Sequence, residues 1–205
     1  MRRDPRLAAV CLGFLLATPV QAATEVGAVT RARGDCVGVS EGTTRSLGAG
    51  LPVFLAEEIS TGEAARLRIT FDDGTVLTLG ERARVVIDSF VYQPDDGLEQ
   101  LLLTATGPFR LATAALVSPA AVINVATPAA VLGVRGTDYW GGPIDGRYGV
   151  LVLEGVVTVA NDGGEVVLSN PGEGTNLDSF DVAPGAVTNW PADKVLRALD
   201  SVSFN

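Results

Sequence analysis

No histidine occurs anywhere in the 205 residues. That absence excludes Ser-His-Asp and Cys-His catalysis, and with them histidine-ligated zinc, copper and non-haem iron centres. Cysteine is nearly as scarce, with only Cys11 and Cys36 present. A single lysine, Lys194, stands close to the C-terminus, a poor position for a Ser-Lys pair. Long apolar runs are also lacking. The N-terminal run Leu7–Leu16 has ten residues, about half of what a membrane-spanning helix needs. Enzymatic chemistry in this chain would therefore rest on carboxylates, tyrosine or a bound cation.

What is present begins with a leader. Arg2, Arg3 and Arg6 precede the apolar run, Pro19 ends it, and Val20-Gln21-Ala22 offers the small residues that a signal peptidase reads. A Sec-type signal peptide over residues 1–22 is expected, placing the product in the periplasm or outside the cell. Cys11 does not fit a lipoprotein site, because Ala8 stands three residues before it and the apolar run continues beyond it. Residues 23–205 then carry one cysteine, Cys36, so no intrachain disulfide forms. Cys36 reads as a small buried apolar residue, with an intermolecular disulfide as the alternative. Without Arg2, Arg3, Arg6 and Asp4 the 15 basic and 24 acidic residues become 12 and 23, a net charge of −11. Such a balance argues against nucleic acid and anionic lipid surfaces as partners.

The remaining sequence alternates like a chain of strands. In ARLRITF (65–71), Leu67, Ile69 and Phe71 face one way and Arg66, Arg68 and Thr70 the other. Asp72-Asp73-Gly74 then reads as a hairpin turn. It lacks the further acidic positions of a calcium loop. Ala83–Tyr92, Leu98–Gly107, 123–127, Gly149–Asn161 and 165–169 continue the pattern, with turns every 8–12 residues. Helical spacing occurs once, in PADKVLRALDSV, where Val195, Leu196 and Leu199 share a face behind Pro191. The expected fold is all-β: short antiparallel strands in an elongated sandwich or solenoid-like stack over residues 23–190. One short C-terminal helix and tail, 191–205, closes it.

Six segments occur in a fixed order: ISTG (59–62), FDDGTVLTLG (71–80), SFVY (89–92), TGPFRL (106–111), ATPAAVLGVRGTDY (126–139) and LVLEGVVTVAN (151–161). In this order they resemble the FecR domain family, over about residues 59–160. The family's name comes from a membrane sensor of iron-siderophore uptake. Its periplasmic part receives a signal from an outer-membrane transporter, and its cytoplasmic segment controls a sigma factor. The leader of this chain stands where those sensors have the cytoplasmic segment and a transmembrane helix. The resemblance therefore implies only the extracytoplasmic β domain.

The stretch GVRGTDYWGG (133–142) has two readings. In the structural one, Gly133, Gly136 and Gly155 permit tight backbone packing. Arg135 is then a low-exposure side chain that satisfies carbonyls or a carboxylate, Asp138 or Glu154, while Thr137 and Asp138 secure the local backbone. Asp73 and Gly74 play the corresponding part in the earlier hairpin. In the binding reading, Arg135 grips an anion and Tyr139, Trp140 and Tyr148 form a stacking platform for a sugar or small ligand. A hydrolase would need a facing carboxylate pair such as Asp88 with Glu154. The preferred expectation is a non-enzymatic envelope module without a cofactor or metal. It would recognise another envelope protein or polymer through a surface or a strand edge.

Overall fold

The computed structural model describes residues 23–114 and 121–205. The expected leader with Cys11, and most of the small-residue connection before Val122, lie outside these residues. The described residues form sixteen strands: β1 (Glu25–Arg33), β2 (Cys36–Ser40), β3 (Thr43–Ser46), β4 (Pro52–Phe54), β5 (Glu58–Thr61), β6 (Arg66–Phe71), β7 (Val76–Leu79), β8 (Arg84–Gln93), β9 (Leu98–Thr106), β10 (Phe109–Ala112), β11 (Val122–Ala126), β12 (Val131–Ile144), β13 (Arg147–Asn161), β14 (Gly164–Leu168), β15 (Glu173–Leu177) and β16 (Thr188–Asn189). They are followed by one helix, α1 (Ala192–Asp200).

All sixteen strands belong to a single curled sheet. One wing runs β3-β2-β5-β8-β9-β11, and the other runs β10-β7-β6-β1-β4. Both wings attach to β12: β11 pairs with its first part, at Val131–Val134, and β10 pairs with its second, at Asp138–Gly141. The opposite edge of β12 carries β13, to which β14 and β15 add. The inward residues of both wings meet in one core, where Phe71 of β6 stacks on Phe90 of β8 with ring centroids 5.8 Å apart.

The all-β class and the C-terminal helix agree with the expectation. The architecture corrects it, because the sheet is curled and continuous and is neither a clear sandwich nor a solenoid. Two strands are long, at 14 and 15 residues. The pairing of β9 with β11 is parallel. Ile59, Ser60 and Thr61 of the ISTG segment are strand residues of β5. A long hairpin shared by both wings removes the need for a separate second layer of short strands.

Local chemistry explains the elements. Along β6 exposure alternates residue by residue, with Leu67, Ile69 and Phe71 buried, the period of a half-buried strand. Asp73 closes the β6–β7 turn by accepting from the Thr75 backbone N–H at 2.8 Å and the Thr75 hydroxyl at 3.0 Å. Its carboxyl is held above the usual range, chiefly by burial and against the pull of those hydrogen bonds. An ion pair with a fully buried carboxylate secures the neighbouring connection between β4 and β5. Glu57 is fully buried and receives Arg45 through Nε and Nη2, both at 2.9 Å, and the Phe54 backbone N–H at 3.0 Å. Gly38 makes room for it, since a Cβ there would stand 2.0 Å from a Glu57 oxygen.

Candidate interaction surface

The stretch 133–142 lies within β12, where the strand register breaks on both sides of Asp138. The break is a bulge in the hairpin. Thr137 fastens it: its hydroxyl accepts from the Arg135 backbone N–H at 3.1 Å and donates to the Val156 carbonyl at 2.8 Å. Its own N–H donates to the Thr113 hydroxyl at 2.8 Å. Across the hairpin, Gly155 has φ +80°, and a Cβ there would sit 2.2 Å from the Gly136 carbonyl oxygen. No L side chain fits that position without moving the backbone. Asp138 takes a two-pronged contact from Arg110 of β10, with Nε at 2.8 Å.

Thr137 and Gly155 thus serve the backbone, whereas Asp138, expected to bond backbone N–H groups, pairs with the Arg110 side chain, and Arg135 serves neither. Its side chain is exposed and makes no ion pair or hydrogen bond among the described residues, and the carboxylate expected to hold it is taken by Arg110. The bulge lets the chain shift its facing residues, so the arginine turns outward while the next residues turn in. Arg135→Ala is therefore expected to leave thermal stability within about 0.5 kcal/mol of the parent. A melting curve checks this, and a larger loss would restore the buried role.

The bulge also buries the aromatics. Beyond it, Tyr139 faces the main core and Trp140 the opposite side, and both are 0 % exposed. Tyr139 meets Phe109 edge-on at 5.8 Å. Trp140 meets Trp190 edge-on at 6.2 Å and donates from Nε1 to the Ser201 hydroxyl at 3.0 Å. Tyr148 is half-buried with its hydroxyl buried. Burial pushes the pKa of both phenols up, so neither titrates near neutral pH. Tyr139 and Trp140 therefore offer no exposed stacking platform: Tyr139 packs into the main core, and Trp140 holds the C-terminal helix. Asp88 and Glu154 do not face each other either. Asp88 accepts from the Thr104 hydroxyl at 2.8 Å. Glu154 lies on β13 across from Asp138, and β9, β11 and β12 intervene, about 19 Å of sheet at ~4.8 Å per strand.

What the site residues leave at the surface is the outer face of β9, β11, β12, β13 and β14. Large apolar side chains stand exposed on each strand: Leu98 (52 %), Val122 (43 %), Val131 (38 %), Val156 (42 %) and Val167 (47 %). Arg135 lies among them, across from Val156, in an open groove of about 490 Å³ also lined by Val122. Glu165 marks the border on β14. Beyond its pairs with β13, β14 makes no further backbone hydrogen bond among the described residues, so its outer edge is open. Exposed valines are legible in the sequence as strand residues, but the face they occupy depends on the bulge, and only sheet order gathers them into one surface.

The sequence pattern of the family described as FecR protein matches residues 57–158. The chain belongs to the FecR family. The matched segment runs from the buried Glu57 to Thr158 of the central hairpin, and so takes in the β12 bulge and most of the apolar face. A comparison with curated proteins finds no significant match. Among solved structures the FecR chain resembles two crystal structures of a proposed anti-sigma factor from Parabacteroides distasonis ATCC 8503, at 2.50 and 1.65 Å resolution. Each has a TM-score of 0.57 and 21 % identity, over 69 % of this chain. The match spans 63 % and 64 % of those chains, and at this identity it speaks for the shared fold alone.

Proposed function

We propose that this FecR protein is a non-enzymatic signalling module of the cell envelope that recognises a strand of another protein. The outer face of β9–β14 and the open edge of β14 would form the docking surface. The observation that carries this reading is the run of exposed apolar side chains across five adjacent strands of an otherwise acidic chain, ending at an unpaired strand edge. An exposed edge presents backbone donors and acceptors that an incoming strand satisfies, while side-chain contacts on the flanking face supply selectivity. Membership of the FecR family and the fold shared with a proposed anti-sigma factor support a role in signalling. The leader-like N-terminus supports an extracytoplasmic location.

The purified protein, tagged and immobilised, should retain one predominant protein from envelope extract. Val156→Glu and Val167→Glu should abolish that capture while leaving the melting temperature unchanged, since both side chains already face water. A polysaccharide retained in place of a protein, or capture indifferent to both substitutions, would overturn the reading.

A further inference from the structure

The second wing carries a different surface on its outer side. In register across four strands lie Arg31 of β1, Arg68 of β6, Thr78 of β7 and Arg110 of β10. Arg31 and Arg68 stand directly opposite each other, an arrangement of like charges that destabilises a sheet. Arg33 and Arg66 repeat it two residues further along. Burial, together with the Arg33 charge, lowers the Arg66 pKa. These five arginines are concentrated on one face of a protein whose overall charge is strongly negative.

Of the row, Arg110 is neutralised by Asp138. Arg31 and Arg68 form no ion pair among the described residues. Instead, their guanidinium carbons lie 4.5 and 5.5 Å from the centre of the Phe204 ring. Arg68 also donates from Nε to the Thr78 hydroxyl at 3.3 Å. Stacking on a ring uses the flat face of a guanidinium and leaves N–H donors at its edge free for an oxyanion. Those edges border a cleft of about 400 Å³ between the sheet and α1, whose other wall includes Leu196 and Leu199. Leu196 is 60 % exposed on the rim. Asp200 shares the cleft but pairs with none of the arginines.

We propose that this cleft binds an amphiphilic anion, with its oxyanion head held by Arg31 and Arg68 and its apolar part laid against Leu196, Leu199 and Phe204. Two opposed, unmatched arginines beside an exposed leucine, Leu196, and a half-buried one, Leu199, make a poor stabilising device and a good receptor for such a molecule. The charge supplies attraction, and the apolar wall distinguishes the ligand from a free ion.

The test is titration calorimetry with decyl phosphate as monomer, inorganic phosphate and uncharged decyl maltoside, at two salt concentrations. Decyl phosphate should bind the parent protein more tightly than inorganic phosphate and more weakly as salt rises, with no binding of decyl maltoside. The Arg31→Ala/Arg68→Ala variant should lose at least tenfold in affinity. Arg31→Gln, which touches one exposed side chain, should lose a smaller factor. Decyl phosphate should raise the melting temperature of the parent and leave that of the double variant unmoved. An absence of binding to the parent, equal affinity in the double variant, or equal binding of decyl maltoside would each overturn the proposal. The same holds for a double variant whose only change is a lower melting temperature, since the arginines would then serve merely to hold Phe204.

Discussion

Replacing Arg45 by alanine is expected to destabilise the protein by about 3–5 kcal/mol, the loss typical of a buried ion pair deprived of one partner. Glu57 has no exposure, and two of its three hydrogen bonds come from that guanidinium. Arg45 also donates to the Pro52 carbonyl at 2.6 Å, so its removal frees a second acceptor at the start of β4. For a domain of this size each kcal/mol moves the melting temperature by about 2–4 °C, so a fall on the order of 10 °C is expected. Arg45→Met combined with Glu57→Met should lose far less, because no unpaired charge then stays buried. A single-variant loss below about 1 kcal/mol in chemical denaturation would show that water reaches Glu57.

Trp140→Ala should be comparably damaging, at about 3–5 kcal/mol, as for other buried tryptophans. Its second effect is local. Trp140 packs with Ile144, Leu151, Trp190, Ala198 and Val202 in a small core separate from the main one. It is also the side chain that bonds Ser201, just beyond α1. Without it, α1 should detach while the wings remain folded. Limited proteolysis would then cut within residues 191–205 before any other region. A variant that melts within about 1 kcal/mol of the parent and keeps α1 protected would disprove this anchoring role.

The strands that alternate cleanly were readable, and β6 is the clearest case, because period-2 burial needs no knowledge of neighbours. The long hairpin was less readable. Within β12 the alternation is broken at Gly136 and Thr137, and beyond the break the strand is buried on both faces, so Tyr139 and Trp140 occur consecutively. A pattern that assigns one face to the core cannot handle this, and Trp140 was therefore open to a binding reading. Arg135 misled for a related reason. An arginine between glycines beside an aspartate invites pairing in sequence, whereas Asp138 finds its partner in Arg110, on a strand brought alongside by the fold. Both surfaces described above escaped detection because their residues, such as Val122 and Val167 or Arg31 and Arg110, are distant in sequence and become neighbours only through sheet order.

The position of β12 between the wings has a consequence for how the chain acquires its structure. Hairpins such as β6–β7 and β8–β9 close between near neighbours in sequence. β11 closes in the same way on Val131–Val134, whereas the open edge of β10 awaits Asp138–Gly141, which lies beyond both β11 and the bulge. Until that segment joins, the nascent protein is a set of half-finished ribbons with bare edges and uncovered apolar faces. Folding dominated by such distant pairings is slow, and the waiting edges are prone to aggregation. A segment made late in synthesis thus decides whether the earlier ones assemble with each other or with strangers.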